Sequence, residues 1–290
     1  MRIVTLVFIL TFSSNVVFCD TSKSMRADSS KPFVLGVTDE IESKQLHEKR
    51  IVNIYLPEGY NKNDTITYPV VYLLDGSADE DFIHVTGLFQ FDSFSWINRV
   101  PKSIIVGIAN VDRLRDFTYP STIQDEKKHF PTSGHSDQFI DFIEKELQPF
   151  IEKKYKTNSS KSIIGESLGG LLVTEILLKK PTLFSKYIIV SPSLWWDNGS
   201  LLNLNSDLLQ ESFSQPTRIY IAVGKEGLTP TKIPHVMEVD ANLLAEKIRN
   251  TKSKEVKAYF DYLPQEDHAT VMHQAIYNAL KLLYHDPVKP

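Results

Sequence analysis

The chain has 290 residues, enough for one large α/β domain, and its 42% hydrophobic and 23% charged content is ordinary for a globular protein. A formal net charge of -4 argues against a nucleic-acid partner, because binding DNA or RNA needs a concentrated basic surface that no Lys/Arg run here supplies. Cys19 is the only cysteine, so neither a disulfide framework nor a cysteine metal site is open to it.

Residues 1–19 read as an export signal. Arg2 supplies a positive charge, residues 3–12 form an apolar run too short to span a bilayer, and residues 13–15 interrupt it. Cleavage after Cys19 places Val17 and Cys19 at the two positions that must be small. Lipoprotein anchoring through Cys19 is the rival reading, and the bulk of Phe18 speaks against it. The expected location is secreted or periplasmic, with no transmembrane span after cleavage. Residues 20–31 are polar and read as a flexible segment, and residues 32–290 as a single domain.

Residues 33–37 form a short apolar run, and residues 50–56 alternate, with Val52, Ile54 and Leu56 on one face. Residues 57–60 close the second segment with turn chemistry, and the two segments are expected to pair antiparallel. The later runs at 70–74, 103–109, 162–164, 187–190, 218–223 and 256–262 are mostly continuous and apolar, the pattern of strands buried on both faces of a parallel sheet. Helical stripes lie between and after them. One is Phe139, Ile143, Leu147, Phe150 and Ile151; another is Val236, Val239, Leu243 and Ile248; a third is Met272, Ile276, Ala279 and Leu283. This alternation reads as one α/β domain.

Chemistry enters at Gly165-Glu166-Ser167-Leu168-Gly169, followed by Gly170. It follows the strand at 162–164 and opens a helix running to Lys180, the context a nucleophile elbow requires. Glycines flank the serine because the turn leaves no room for side chains. The Leu168 amide then points into the site from a helix N-terminus, where it can meet a developing oxyanion.

A serine hydroxyl needs a base to become nucleophilic. Of the eight histidines, His268 has the right address, in the loop after the strand at 256–262 and before the last helix. His273 falls inside that helix, His285 near the tail, and His235 opens a helix after Pro234, as a cap-region or substrate-loop residue. His47, His84, His129 and His135 read as surface or pocket-wall residues. The acid should follow the strand at 218–223, which selects Glu226, with Asp197, Asp240 and Asp267 as rivals. Asp240 is expected on the solvent side of its helix. The second oxyanion donor is expected from the main chain of Gly76 or Ser77, after the strand at 70–74. Two segments read as pocket walls: residues 110–117, which include Arg113 and Arg115, and residues 191–196, where Trp195 and Trp196 can stack on an aromatic group or cap the core.

Together these pieces resemble the esterase family that includes esterase D and the siderophore trilactone hydrolases. The resemblance covers residues 33–283. It rests on Tyr72-Leu73-Leu74-Asp75-Gly76, on Val106-Gly107-Ile108 with Asp112-Arg113 and Arg115-Asp116, on the Gly165–Gly170 elbow, on Ser191-Pro192-Ser193-Leu194-Trp195-Trp196, and on Asp267-His268. It implies an α/β-hydrolase fold, a mostly parallel eight-stranded sheet with helices on both faces. It also implies hydrolysis of a small-molecule carboxylic ester through an acyl-enzyme on Ser167 with His268 as base, without metal or cofactor. The acid does not carry over: Lys225 stands where relatives often carry an acidic residue, and some siderophore esterases resemble Ser–His dyads. A siderophore lactone is the leading specific substrate, since Arg113 and Arg115 could suit an anionic iron complex. A catalytically silent ligand-binding homologue is the reading from another class. Oligomeric state is not set by the sequence.

Overall fold

Eight strands form in the computed structural model, which describes residues 30–284. They are β1 (Val37–Ser43), β2 (Glu48–Tyr55), β3 (Tyr68–Leu73), β4 (Ile104–Ile108), β5 (Thr157–Glu166), β6 (Lys186–Val190), β7 (Thr217–Gly224) and β8 (Val256–Leu263). One sheet contains them in the order β1-β2-β4-β3-β5-β6-β7-β8. The β1–β2 and β2–β4 pairs are antiparallel and every later pair is parallel. This is the mostly parallel eight-stranded sheet expected above, in the unit that begins at Leu35. The export-signal reading, Cys19 and its anchoring, nearly all of the polar segment 20–31, and His285 lie outside the described residues. Among the described residues no helix is long and apolar enough to cross a membrane.

The antiparallel entry forms, but its first strand is Val37–Ser43 rather than residues 33–37. An edge strand needs to bury only alternate positions, and Ile41 meets that need within an otherwise polar stretch.

Burial on both sides of the sheet explains the continuous runs. Val70 and Tyr72 of β3 enter one core, while Val71 and Leu73 enter the other. The second core is covered by α1 (Phe82–Asp92) and the C-terminal helix α8 (Val271–Leu283). After β4 come two short helices, α2 (Arg113–Phe117) and α3 (Gln124–His129). The first core is covered by α4 (Ser136–Phe142), a π-helical turn at Ile143–Leu147, α5 (Gln148–Lys154), α6 (Leu168–Lys179) and α7 (Met237–Arg249). The expected stripes of Phe139, Ile143, Leu147, Phe150 and Ile151, and of Met272, Ile276, Ala279 and Leu283, are buried except at Phe150, which is only partly covered. The stripe expected on α7 is wrongly phased. Val239 and Leu243 are 53% and 45% exposed, and Met237, Asp240, Ala241, Leu244, Ala245 and Ile248 face inward. Ala241 and Ala245 share the buried face with Met237, Leu244 and Ile248, the last of which belongs to the expected stripe.

A buried charge network pins the entry strands to the helices beside the site. Arg50, fully buried, donates from Nη1 to Glu48 Oε1 at 2.8 Å and to Asp116 Oδ2 at 2.7 Å, and from Nη2 to the Ala109 carbonyl. Arg115 donates to the other oxygen of Asp116 at 2.8 Å and to Glu48 at 2.6 Å. Asp116→Ala leaves Arg50 buried with half its counter-charge, so urea unfolding is expected to show a loss of about 3–5 kcal/mol. An unchanged unfolding midpoint would contradict this assignment.

Candidate active site

Parallel strands deliver their C-terminal ends, and the loops that follow, to one edge of the sheet. The ends of β5, β7 and β8 supply Ser167, Glu226 and His268. Ser167 sits directly between β5 and α6 with φ 58 and ψ -118, a conformation rare for a residue bearing a Cβ. The turn is held by bonds from Ser167 N to the Val190 carbonyl at 3.0 Å and from Leu171 N to the Ser167 carbonyl at 2.9 Å. Gly165 is required here: a Cβ would stand 2.5 Å from the Gly169 carbonyl oxygen.

Three side chains selected separately from the sequence form one hydrogen-bonded chain. Glu226 Oε2 lies 2.6 Å from His268 Nδ1, and His268 Nε2 lies 3.1 Å from Ser167 Oγ. A carboxylate only accepts, so the proton belongs on Nδ1, which leaves Nε2 to accept from the serine hydroxyl. The bond to Glu226 outweighs burial and holds the His268 imidazole above its ordinary 6.5. Burial alone would raise Glu226; bonds from His268, Ser191 and the Gly224 amide outweigh that and hold it below the usual carboxylate range.

The rival acids have other work. Asp197 accepts from Thr122 N and Thr122 Oγ1, both at 2.6 Å. Asp240 is buried rather than solvent-facing, and its Oδ2 lies 2.8 Å from His235 Nδ1. Asp267 accepts from the amides of Ala269 and Thr270 and so shapes the turn that carries His268. His273 pairs with His84 across α8 and α1.

Of the expected oxyanion donors, Leu168 is the first residue of α6, so its N–H has no acceptor within the helix. The Gly76 amide is taken: it donates to the Ile108 carbonyl at 3.0 Å, tying the loop after β3 to β4. Ser77 remains, its amide directed at Glu80 Oε2 at 3.2 Å in a reciprocal turn with Glu80 N and the Ser77 carbonyl.

The pocket-wall expectations divide. Trp195 lines a cleft of about 750 Å³ together with Ile123, Phe130, Asn198 and Ile233. Trp196 does not; it is fully buried, and its Nε1 donates to the Tyr119 carbonyl at 2.8 Å. Arg113 donates to both oxygens of Asp75 at 2.7 and 3.0 Å and to the Glu166 carbonyl at 3.1 Å, bracing the elbow against the β3 loop. Arg115 belongs to the buried network described above. Neither guanidinium is thus a free cation for an anionic substrate, since each already faces a carboxylate. The cleft is not lined by Ser167 or His268. Ser193, in the loop of Trp195, donates from N to the Ser167 carbonyl at 3.0 Å, and its Oγ lies 3.4 Å from Ser167 Oγ.

Nothing in the sequence pointed to the contacts made by Asp75, Ser191 and Ser193, which appeared there only within motifs, and Glu238 was not singled out at all. Glu238 accepts from the amides of Glu226 at 2.8 Å and Gly227 at 3.0 Å, fixing the acid's loop to α7. Its signal is present, since an acidic residue in the first turn of a helix commonly accepts from backbone N–H groups. Among the described residues no group of three or more His, Cys, Asp or Glu is placed to hold a metal ion.

The family described as "Putative esterase" matches residues 43–271. The chain is 27% identical to the ferri-bacillibactin esterase BesA of Bacillus subtilis over 280 residues, covering 91% of this chain and 96% of that protein. Its fold is similar to that of an IroE-like serine hydrolase from Shewanella oneidensis, with a TM-score of 0.75 at 33% identity over 86% of this chain and 80% of that one. It is also similar to the BES protein of Bacillus cereus, with a TM-score of 0.72 at 26% identity over 90% and 100% of the two chains.

In an imidazole titration followed by NMR, Glu226→Gln is expected to move His268 to a lower pKa than in the unmodified protein, because the raising partner loses its charge. An equal or higher value would contradict the assigned pairing.

Proposed function

The chain belongs to the esterase family matched above, a family of carboxylic ester hydrolases, and we propose that it cleaves its ester with Ser167 as nucleophile, His268 as base and Glu226 as orienting acid. The observation that carries this reading is the chain from Glu226 through His268 to Ser167, with both links within hydrogen-bond reach. Ser167 Oγ attacks the ester carbonyl carbon while its proton passes to His268 Nε2. The negative oxygen of the tetrahedral intermediate is met by the amides of Leu168 and Ser77, the second turning from Glu80 to the substrate. Each donor is worth about 3 kcal/mol at the transition state. Collapse breaks the carbonyl–alkoxy bond, and His268 returns the proton to the departing alcohol. Water then attacks the acyl-enzyme, giving one proton to His268, and the acid leaves as Ser167 recovers its hydrogen.

The substrate class favoured is a siderophore ester. Supporting it are the relative named a ferri-bacillibactin esterase, and a cleft whose wall is built from Trp195, Phe130, Ile123 and Ile233. Aromatic and apolar side chains of this kind suit a flat aryl group. The reading includes export, on the strength of Arg2 and the apolar run at 3–12, and a single domain over residues 32–290.

Two measurements test this. Ser167→Ala is expected to lose p-nitrophenyl butyrate turnover by at least about 10³-fold, and turnover equal to wild type would remove the nucleophile assignment. Trp195→Ala is expected to raise KM for a catecholate trilactone or another bulky aryl ester by about tenfold, with p-nitrophenyl acetate little affected. Equal effects on both substrates would detach the cleft from specificity.

A further inference from the structure

The loop that follows β6 lies between the loops that bear the nucleophile and the acid, because β6 lies between β5 and β7 in the sheet. It touches both neighbours. On one side Ser193 N donates to the Ser167 carbonyl at 3.0 Å. On the other, the Ser191 hydroxyl donates to Glu226 Oε1, the carboxylate oxygen that His268 does not use.

Ser191 is fully buried and held at φ 41, a region that a residue with a Cβ enters only at a cost. Its own amide donates to the Ala222 carbonyl at 2.8 Å, so β7 fixes the backbone that aims the hydroxyl. Glu226 Oε1 thus receives the Ser191 hydroxyl and, at 3.2 Å, the Gly224 amide, while Oε2 is left to His268. A carboxylate on a flexible two-carbon stem would otherwise swing, and a swing carries the imidazole off the serine. Bonds to an ionised acceptor are the strong ones, and two on the same oxygen stop that rotation.

We propose that Ser191 is a positioning residue for the hydrolytic reaction: its hydroxyl fixes the rotamer of Glu226 and thereby the line from His268 to Ser167. This rests on the reading of Ser167, His268 and Glu226 given above. Ser191 touches no reacting atom. Its effect passes through the acid to the base, so it changes the chemical step and leaves substrate binding alone.

The test compares Ser191→Ala and Ser191→Gly with wild type on p-nitrophenyl butyrate, with Ser167→Ala assayed in parallel. Glycine relieves the backbone at φ 41 and also lacks the hydroxyl, so it keeps the test open if the alanine variant folds poorly. Both variants are expected to lower kcat about tenfold, the scale of one lost hydrogen bond to a charged group, with KM unchanged. The acid limb of the pH profile of kcat/KM is expected to move to lower pH, because a carboxylate free to swing holds the imidazolium less firmly and the contact that raises His268 is weakened. Glu166 and Arg113, the other charged groups that His268 feels, are unaltered by either substitution. The low-field proton resonance of His268 Nδ1 is expected to shift or broaden. Folded variants with wild-type kcat, acid limb and Nδ1 resonance would overturn the assignment of Ser191. Wild-type turnover by Ser167→Ala would instead overturn the reading on which it rests.

Discussion

The 2.6 Å contact between His268 Nδ1 and Glu226 Oε2 joins two loops that parallel pairing of β7 and β8 brings side by side. The backbone repeats the link, since Lys225 N donates to the Glu266 carbonyl at 2.7 Å. The two loops approach so closely that a Cβ on Gly224 would stand 2.8 Å from that same carbonyl oxygen. The sheet therefore sets the spacing of acid and base before any side chain is chosen. What remains is to place the serine at the far end of the imidazole, and the strained turn after β5 does this. Strain of this sort persists only where neighbours over-determine it, and the strand–helix junction supplies those neighbours.

A second constraint is charge. Asp75, Asp81, Glu166 and Glu226 all lie near the elbow. Arg113 faces this set, bound to Asp75 and to the Glu166 carbonyl. Burial pushes Asp81 up to about 6 and Glu166 up to about 7; neighbouring carboxylates add to both rises, while His268 opposes that of Glu166 and Arg113 that of Asp81. Arg113, expected at the pocket wall, acts instead as the counter-charge of the loop below it.

Local chemistry made the centre of the site readable in the sequence. The elbow needs glycines around a serine within one short turn, and His268 needs only to follow the last strand, so each signal is contained in a few neighbouring residues. Glu226 was reachable by topology, one strand earlier. Failures occurred where the deciding partner is far along the chain. Gly76 looked free until β4 claimed its amide, and Asp240 looked solvent-facing until His235 met it. Trp196 turns inward because Tyr119, 77 positions away, offers a carbonyl to its indole. The α7 stripe was misphased at Val239 and Leu243 because two alanines, weak hydrophobic signals, take part of the buried face. Sheet order, which makes the Ser191 loop a neighbour of both Ser167 and Glu226, is likewise absent from any local pattern.

In the proposed reaction Ser167 becomes a nucleophile because His268 accepts its proton. Treating the protein with a fluorophosphonate and locating the adduct by peptide mass spectrometry tests this directly, since such reagents trap an activated serine as a stable covalent ester. One adduct per chain on the peptide containing Ser167, abolished in His268→Ala, is the predicted result. An intact protein that stays unlabelled at Ser167, or labels there equally without His268, would contradict it.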